Sequence, residues 1–165
     1  MALITGLLAF AILFIQHDLP VGTVEHDREP SFHIRLIPLD TLSDLAIAYA
    51  DSTHPVIYYS PRLMQRYGPD ISAFVVAHEQ SHILLGHRRP SAVTSPHAVE
   101  LLLQRWELEA DCLAASRLAR ERPAALVAAR DYFQHMGAER VDCEHPTGTA
   151  RAARIEECGT GRVGN

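Results

Sequence analysis

Two histidines four residues apart, with a glutamate directly after the first, constrain the fold of this chain more than any other feature. They are His78 and His82, and the glutamate is Glu79. In a helix with about 3.6 residues per turn, the two imidazoles lie on one face, where they can bind a zinc ion. Glu79 then lies beside the metal and can polarise a metal-bound water. The motif predicts a helix at these residues, with hydrolysis as its chemistry.

A second motif supplies independent support. A short pattern such as HExxH can occur by chance in a chain with 10 histidines, so it does not establish a metal site alone. Glu107 and Asp111 are four residues apart in a segment that reads as helix, and this spacing puts both on one face. Glu107 can be a third zinc ligand, and Asp111 can accept the free ring N–H of a ligand histidine. The two motifs together predict a site for one zinc ion.

These motifs resemble those of the gluzincin metallopeptidases and, within them, the HtpX-like and CAAX-prenyl-endopeptidase-like family. The resemblance covers roughly residues 32–157. Its parts are the HExxH stretch at 78–82 followed by Gly86-His87, the segment 107–111, His145-Pro146 with Arg151, and a segment at 55–59 that is similar to the family's edge strand. It implies an α+β fold, a mainly helical zincin-like domain with a small β-sheet, an HExxH active-site helix and a second ligand helix.

The resemblance also implies roles for individual residues. By similarity, the ligands of one Zn²⁺ ion are His78, His82 and Glu107. Glu79 would be the general base, and Asp111 the carboxylate behind a ligand histidine.

His145 and Arg151 lie in the third matching stretch and, with Tyr59, are candidates for stabilising a transition state. The alternative for His145 and Arg151 is a structural role. His145 would anchor a loop, and Arg151 would form a salt bridge to the ligand helix.

The chain departs from related patterns in two ways. Larger members of the family have several membrane spans, whereas this chain has at most one, so it resembles a minimal catalytic core. The metzincin pattern needs a glycine three residues after the second motif histidine and another histidine three residues further on. The sequence has Leu85 and Arg88 at those places, so His87 is not a third ligand by that route.

Composition and charge indicate one compact domain. The chain has 165 residues, of which 47% are apolar, and a net charge of −5. A chain of this size can bury a core, and its negative charge gives no reason to expect a nucleic-acid partner. We assign residues 23–165 to a single catalytic domain and residues 1–22 to a hydrophobic anchor or signal-like segment.

The first residues of the chain are strongly apolar. Residues 2–15 carry no charge, and as a helix they would span about 21 Å against a hydrocarbon core of about 30 Å. The run is therefore short for a membrane span, and the flanking features of a cleaved signal peptide are not convincing. We predict membrane attachment through residues 2–15, with the protein membrane-anchored or exported. A buried N-terminal helix and a cytoplasmic protein are the alternatives.

The cysteines add a weak indication of export. Cys143 and Cys158 bracket the C-terminal segment and can form a disulfide in an oxidising compartment, although two unlinked thiols are an equal alternative. Cys112 follows Asp111 directly and is expected to be a small core residue.

Periodicity and punctuation give a coarse secondary structure. Asp70 is the expected N-cap of the active-site helix, and residues 88–96 are expected to form a mobile lip over the cleft. The expected elements are strands at 31–39 and 56–59, and helices at 41–51, 61–67, 70–85, 98–122, 123–136 and 149–157.

Motifs and resemblance together predict a zinc-dependent metalloendopeptidase that hydrolyses peptide bonds through a water activated by Glu79. An extended polypeptide substrate can pair with an exposed edge strand beside the cleft, and the candidate strand consists of Val56, Ile57, Tyr58 and Tyr59. Two alternatives share the metal site. One is a non-catalytic, zinc-stabilised peptide-binding module, and the other is a zinc hydrolase of a non-peptide amide.

Overall fold

A small sheet followed by four helices makes up the part of the chain that a computed structural model describes, residues 33–49, 54–88 and 95–161. The prediction of a mainly helical α+β fold is confirmed. The elements are β1 (Arg35–Pro38), β2 (Ala46–Tyr49), β3 (Val56–Tyr59), α1 (Pro61–Leu84), α2 (Pro96–Glu121), α3 (Pro123–Met136) and α4 (Gly148–Gly159).

Some predictions fall on other parts of the chain. The anchor or signal-like segment at 1–22 lies outside the described residues, as do the first residues of the strand predicted at 31–39 and most of the lip predicted at 88–96. Within the described ranges, no helix combines the length and the apolar character needed to cross a bilayer.

The sheet corrects two predictions. Its strand order is β1-β3-β2, with β1 parallel and β2 antiparallel to β3. The helix predicted at 41–51 is wrong, because Ala46–Tyr49 forms a strand that pairs with β3. The prediction that Val56–Tyr59 is an edge strand is also wrong, since the unpredicted β2 covers its second side. Burial agrees with this central position, because Ile57 is completely buried.

The helix that carries the HExxH motif is longer than predicted and is kinked. It begins at Pro61, and the Ser60 side chain caps it by accepting the N–H of Leu63. Gly68 interrupts it with a φ of 82°, a left-handed conformation that glycine adopts without strain. The helices predicted at 61–67 and 70–85 are therefore the two halves of α1. Asp70 is not an N-cap. Its Oδ1 instead forms a salt bridge with Nη2 of Arg122, at a distance of 2.9 Å.

The helices pack through small side chains. The predicted helix at 123–136 is confirmed, and those predicted at 98–122 and 149–157 are confirmed with ends that differ by one or two residues. Small residues allow helix axes to approach closely, which holds α4 and α1 near α2. The shared core is made of Phe74, Ala114, Ala115, Leu118, Ala125, Ala129, Phe133, Ala152 and Ile155.

A disulfide joins α2 to α4. It links Cys112 to Cys158, whereas Cys143 is free and exposed. The predicted pairing of Cys143 with Cys158 is therefore wrong. Cys112 does pack against the hydrophobic core, as expected, but as one half of this disulfide. The pairing follows from helix packing, because α2 and α4 lie against each other and their cysteine Cα atoms are 5.2 Å apart.

Removing this disulfide is expected to destabilise the domain. The bond closes a loop with a sequence separation of 46 residues, and cross-links of this kind typically contribute about 2–4 kcal/mol. Cys112→Ala/Cys158→Ala should lose an amount in this range in urea unfolding followed by circular dichroism. Cys143→Ala is the matched control and should unfold like the wild type. Equal stability of the double variant and the wild type would contradict the expectation.

Candidate metal centre

Three side chains from two helices converge at one point. His78 and His82 come from α1, and their Nε2 atoms are 3.0 Å apart. Glu107 comes from α2, with Oε2 at 3.2 Å from Nε2 of His78 and Oε1 at 3.2 Å from Nε2 of His82. These atoms all lie within 4.8 Å of one another. The three residues can therefore hold a metal ion together.

Burial and hydrogen bonds shift the pKa values of His78 and Glu107 in opposite directions. Burial alone would lower the pKa of His78, but hydrogen bonds with Asp111 and Glu107 outweigh it and raise this pKa to about 10. Burial alone would raise the pKa of Glu107, yet the hydrogen bonds from His78 and His82 hold it far below its usual range. Glu107 Oε2 is buried, and His78 Nε2 lies 3.2 Å from it. His78 therefore carries a proton in the metal-free protein, and a metal ion that binds here has to displace it.

Asp111 lies directly behind His78. Its Oδ1 is 2.9 Å from Nδ1 of His78, so the contact expected from the sequence is present. Asp111 is completely buried, and burial alone would raise its pKa, but the charge and hydrogen bonds of Arg151 lower it. The carboxylate is therefore ionised and can hold the His78 ring in one orientation.

Arg151 supports Asp111 from α4. Its Nε donates to Oδ2 of Asp111 at 2.8 Å and its Nη2 donates to Oδ1 at 2.7 Å. Its guanidinium also lies over the Phe133 ring, 4.0 Å from the centroid, while Nη2 is 3.8 Å from Glu107 Oε2. The geometry is that of the salt bridge to the ligand helix that the sequence left as the alternative role for Arg151.

Glu79 lies beside the cluster and is held by the sheet. Its Oε2 accepts the backbone N–H of Ala48, in β2, at 2.6 Å. Burial raises the pKa of Glu79 above its ordinary value. One carboxylate oxygen is thus fixed by a strand, which leaves the other available for proton transfer.

His145 reaches the same site from the loop between α3 and α4. Its Nε2 is 3.6 Å from Glu107 Oε2, and its Nδ1 is 2.8 Å from Oδ1 of Asp142. Asp142 also accepts the backbone N–H groups of Glu144 and His145. Sequence analysis missed Asp142, although an aspartate three residues before a loop histidine is a recognisable turn signal.

Three further residues near the cluster were not predicted to belong to it, namely His87, Glu109 and Trp106. His87 contacts His82, with their Nδ1 atoms 3.0 Å apart, and Glu109, with Nε2 at 3.2 Å from Oε2. Trp106 stacks on the His87 ring. The sequence did contain a signal for the position of His87. His87 directly follows Gly86, and a glycine that ends a helix can turn the next residue back towards it.

A cleft of about 610 Å³ opens onto the cluster. One wall is the segment 43–48, which includes the first three residues of β2, and the other walls are mainly apolar. None of Val56, Ile57, Tyr58 and Tyr59 lines the cleft, so the structure does not place the candidate substrate strand beside the metal centre. The apolar lining includes Tyr67, Phe74, Leu103, Trp106, Tyr132 and Met136.

Comparisons of the chain with protein-family models, with curated proteins and with solved structures found no match. Functional inference therefore depends on the geometry of the site.

Proposed function

We propose that this protein is a zinc metalloendopeptidase with a zincin-like catalytic domain. The observation that carries the proposal is the convergence of His78, His82 and Glu107 next to the carboxylate of Glu79. Ligand atoms about 2.0–2.1 Å from a tetrahedral zinc ion are roughly 3.3–3.4 Å apart. The 3.0 Å between the two histidine Nε2 atoms is close to that value. The two 3.2 Å separations run to different oxygens of Glu107, and one ligand atom from each residue gives a set within 4.8 Å. Two imidazoles and one carboxylate are also a typical donor set of catalytic zinc.

The residues around this donor set match the requirements of peptide hydrolysis. Zinc in such a site supplies Lewis acidity and brings the pKa of a water ligand to about 7. Glu79 accepts a proton from the attacking water on the oxygen that Ala48 leaves free, and later delivers it to the amine that leaves. Its raised pKa suits both steps. A site that only stored metal would have no use for this carboxylate.

His145 is placed to stabilise developing negative charge. Its Nδ1 is held by Asp142, and its Nε2 faces the cluster near Glu107. When both ring nitrogens are protonated, Nε2 can donate a hydrogen bond to the oxyanion of the tetrahedral intermediate. Arg151 is less suited to this task, because its Nε and Nη2 both donate to Asp111.

The free edge of β2 supports an extended polypeptide as the substrate. Backbone groups of an antiparallel strand point alternately towards and away from the partner strand. The Leu45 C=O accepts from Ser60 N–H, whereas the Ala48 N–H points to Glu79. Ala46 therefore directs its N–H and C=O away from β3, at an edge that no other described strand covers. A peptide can add to this edge beside Glu79.

We further propose that the protein is exported or membrane-attached. Residues 2–15 are apolar and uncharged, and the Cys112–Cys158 disulfide suits an oxidising compartment.

The test is digestion of an unfolded protein under control of the metal. Full-length protein stripped by a chelator should leave unfolded casein intact, and one equivalent of Zn²⁺ should restore cleavage, with new termini identified by mass spectrometry. Zinc binding without cleavage of any substrate would instead indicate a peptide-binding module. Turnover of small amides without casein cleavage would indicate a non-peptide amide hydrolase.

Loss of His145 is expected to slow catalysis without releasing the metal. His145→Asn removes the donor that faces the cluster, and loss of one oxyanion donor typically lowers kcat about 10²- to 10³-fold. His135→Asn is the matched control, because His135 is exposed on α3. Zinc content and casein cleavage are measured for both variants. A normal kcat in His145→Asn would exclude this role.

A further inference from the structure

A third histidine contacts His82 through the ring nitrogen that does not face His78. His87 follows Gly86 just beyond the end of α1, and Gly86 has a φ of 69°. A left-handed residue at this place reverses the chain, and the His87 N–H consequently donates to the His82 C=O at 3.0 Å. The turn thereby brings the His87 side chain back against the His82 ring.

Polar contacts continue from His82 to the protein surface. His82 Nδ1 and His87 Nδ1 are 3.0 Å apart, and His87 Nε2 is 3.2 Å from Glu109 Oε2. Arg105 Nε then donates to Glu109 Oε1 at 2.7 Å. These contacts connect the candidate metal ligand His82, through the imidazole of His87, to the ion pair of Glu109 and Arg105.

Packing fixes the second imidazole in place. The ring of His87 lies nearly parallel to that of Trp106, at 9° and 4.9 Å between centroids, and its side chain is only 6% exposed. Trp106 directly precedes Glu107 on α2. The helix that supplies the third metal-binding side chain therefore also clamps His87.

The direction of each hydrogen bond follows from the metal centre. His82 must offer its Nε2 lone pair to the metal, so a neutral ring carries its proton on Nδ1. That proton points to His87 Nδ1, which must then accept, and the His87 proton lies on Nε2. Nε2 in turn donates to Glu109. Each residue in this series of hydrogen bonds therefore has one consistent assignment of donor and acceptor atoms.

We propose that His87 is a positioning residue that sets the orientation and tautomer of His82 and so the metal affinity of the site. This inference rests on the proposed function, because it takes the three converging side chains as metal ligands. The two ligand histidines are then supported differently. Asp111 holds His78 directly, whereas an imidazole relay through His87 to Glu109 holds His82.

The experiment measures metal binding and needs no catalysis. Zn²⁺ affinity of the full-length protein is determined by competition with a chromophoric chelator, and the visible spectrum of the Co²⁺-loaded protein reports ligand geometry. His87→Phe keeps a planar ring against Trp106 but removes the acceptor. It should weaken zinc binding about 10- to 100-fold and alter the Co²⁺ spectrum. His87→Asn offers Oδ1 close to the position of Nδ1 and should recover most of the affinity.

Two more variants complete the design. Glu109→Leu should lower the affinity by less than His87→Phe, because it removes only the far acceptor of the relay. Glu109 is partly exposed, so this variant tests the relay even if the ring substitution disturbs folding. His97→Phe replaces a mostly exposed histidine and should bind zinc like the wild type.

The outcomes separate this inference from the proposed function. Wild-type zinc affinity in both His87→Phe and Glu109→Leu would overturn the role of His87 and leave the proposed function standing. Equally weak binding by His87→Phe and His87→Asn would also overturn it, because packing would then be the cause. A wild-type protein that binds no zinc would overturn the proposed function and the inference with it.

Discussion

Replacing Glu79 with Gln is expected to abolish most peptide cleavage and to leave metal binding intact. Glutamine fills the same space, and its amide oxygen can still accept the Ala48 N–H that Glu79 now accepts at 2.6 Å. It cannot take a proton from water, and loss of a general base typically lowers the rate about 10²- to 10⁴-fold. Glu79 is not one of the three converging side chains, so zinc affinity should stay at the wild-type value.

The measurement compares casein cleavage at equal zinc occupancy, with Glu107→Gln as a contrasting variant. Glu107 is one of the converging residues, and its substitution should lose zinc and activity together. Equal activity of Glu79→Gln and the wild type would point to a contaminating protease. Loss of zinc from Glu79→Gln would show that this carboxylate has another role.

Replacing Arg151 with Met is expected to destabilise the fold more than any other single substitution considered. Asp111 is completely buried and Arg151 is 8% exposed, and the two form a bidentate pair. Breaking a buried ion pair leaves an uncompensated charge, which costs about 3–5 kcal/mol. Many domains have a total stability of only about 5–15 kcal/mol. Urea unfolding in the presence of a chelator measures the loss without a contribution from bound metal.

Two controls isolate the buried pair. Arg130→Met removes a partner of Glu156 at the surface and should cause only a small fraction of the loss, because exposed pairs are weak and screened. Asp111→Asn/Arg151→Met removes both charges and should lose less than the sum of the single variants. Wild-type stability of Arg151→Met would show that Asp111 is adequately compensated without it.

The sequence predicted those parts of the site that depend on spacing within one helix. His78 and His82 lie on one turn of α1, and Glu107 and Asp111 lie on one turn of α2, so helical periodicity alone orders each pair. Helices α2, α3 and α4 were also predicted to within two residues, because proline or glycine lies at or near their ends. Spacing within one helix cannot show that the two helices face each other, and that expectation came from the occurrence of both motifs in one chain together with the resemblance.

The features that were not predicted from the sequence share a different cause. Ala46–Tyr49 contains two alanines, which favour a helix locally, but pairing with β3 overrides this preference. Cys112 pairs with Cys158 because α2 packs on α4, and nothing within either segment encodes that contact. His87 reaches His82 only through the reversal at Gly86. Each of these features depends on tertiary contacts or on turn geometry.

The contribution of α4 has a consequence for how the protein is made. Arg151 and Cys158 both belong to this helix, which is synthesised after every other described element. Until a ribosome has translated through residue 151, Asp111 has no guanidinium to balance its charge, and the support behind His78 is incomplete. The candidate metal centre of a nascent chain therefore stays unfinished until α4 has been added. If the centre is proteolytic, this order delays its activity until α4 has been translated and has packed against α2.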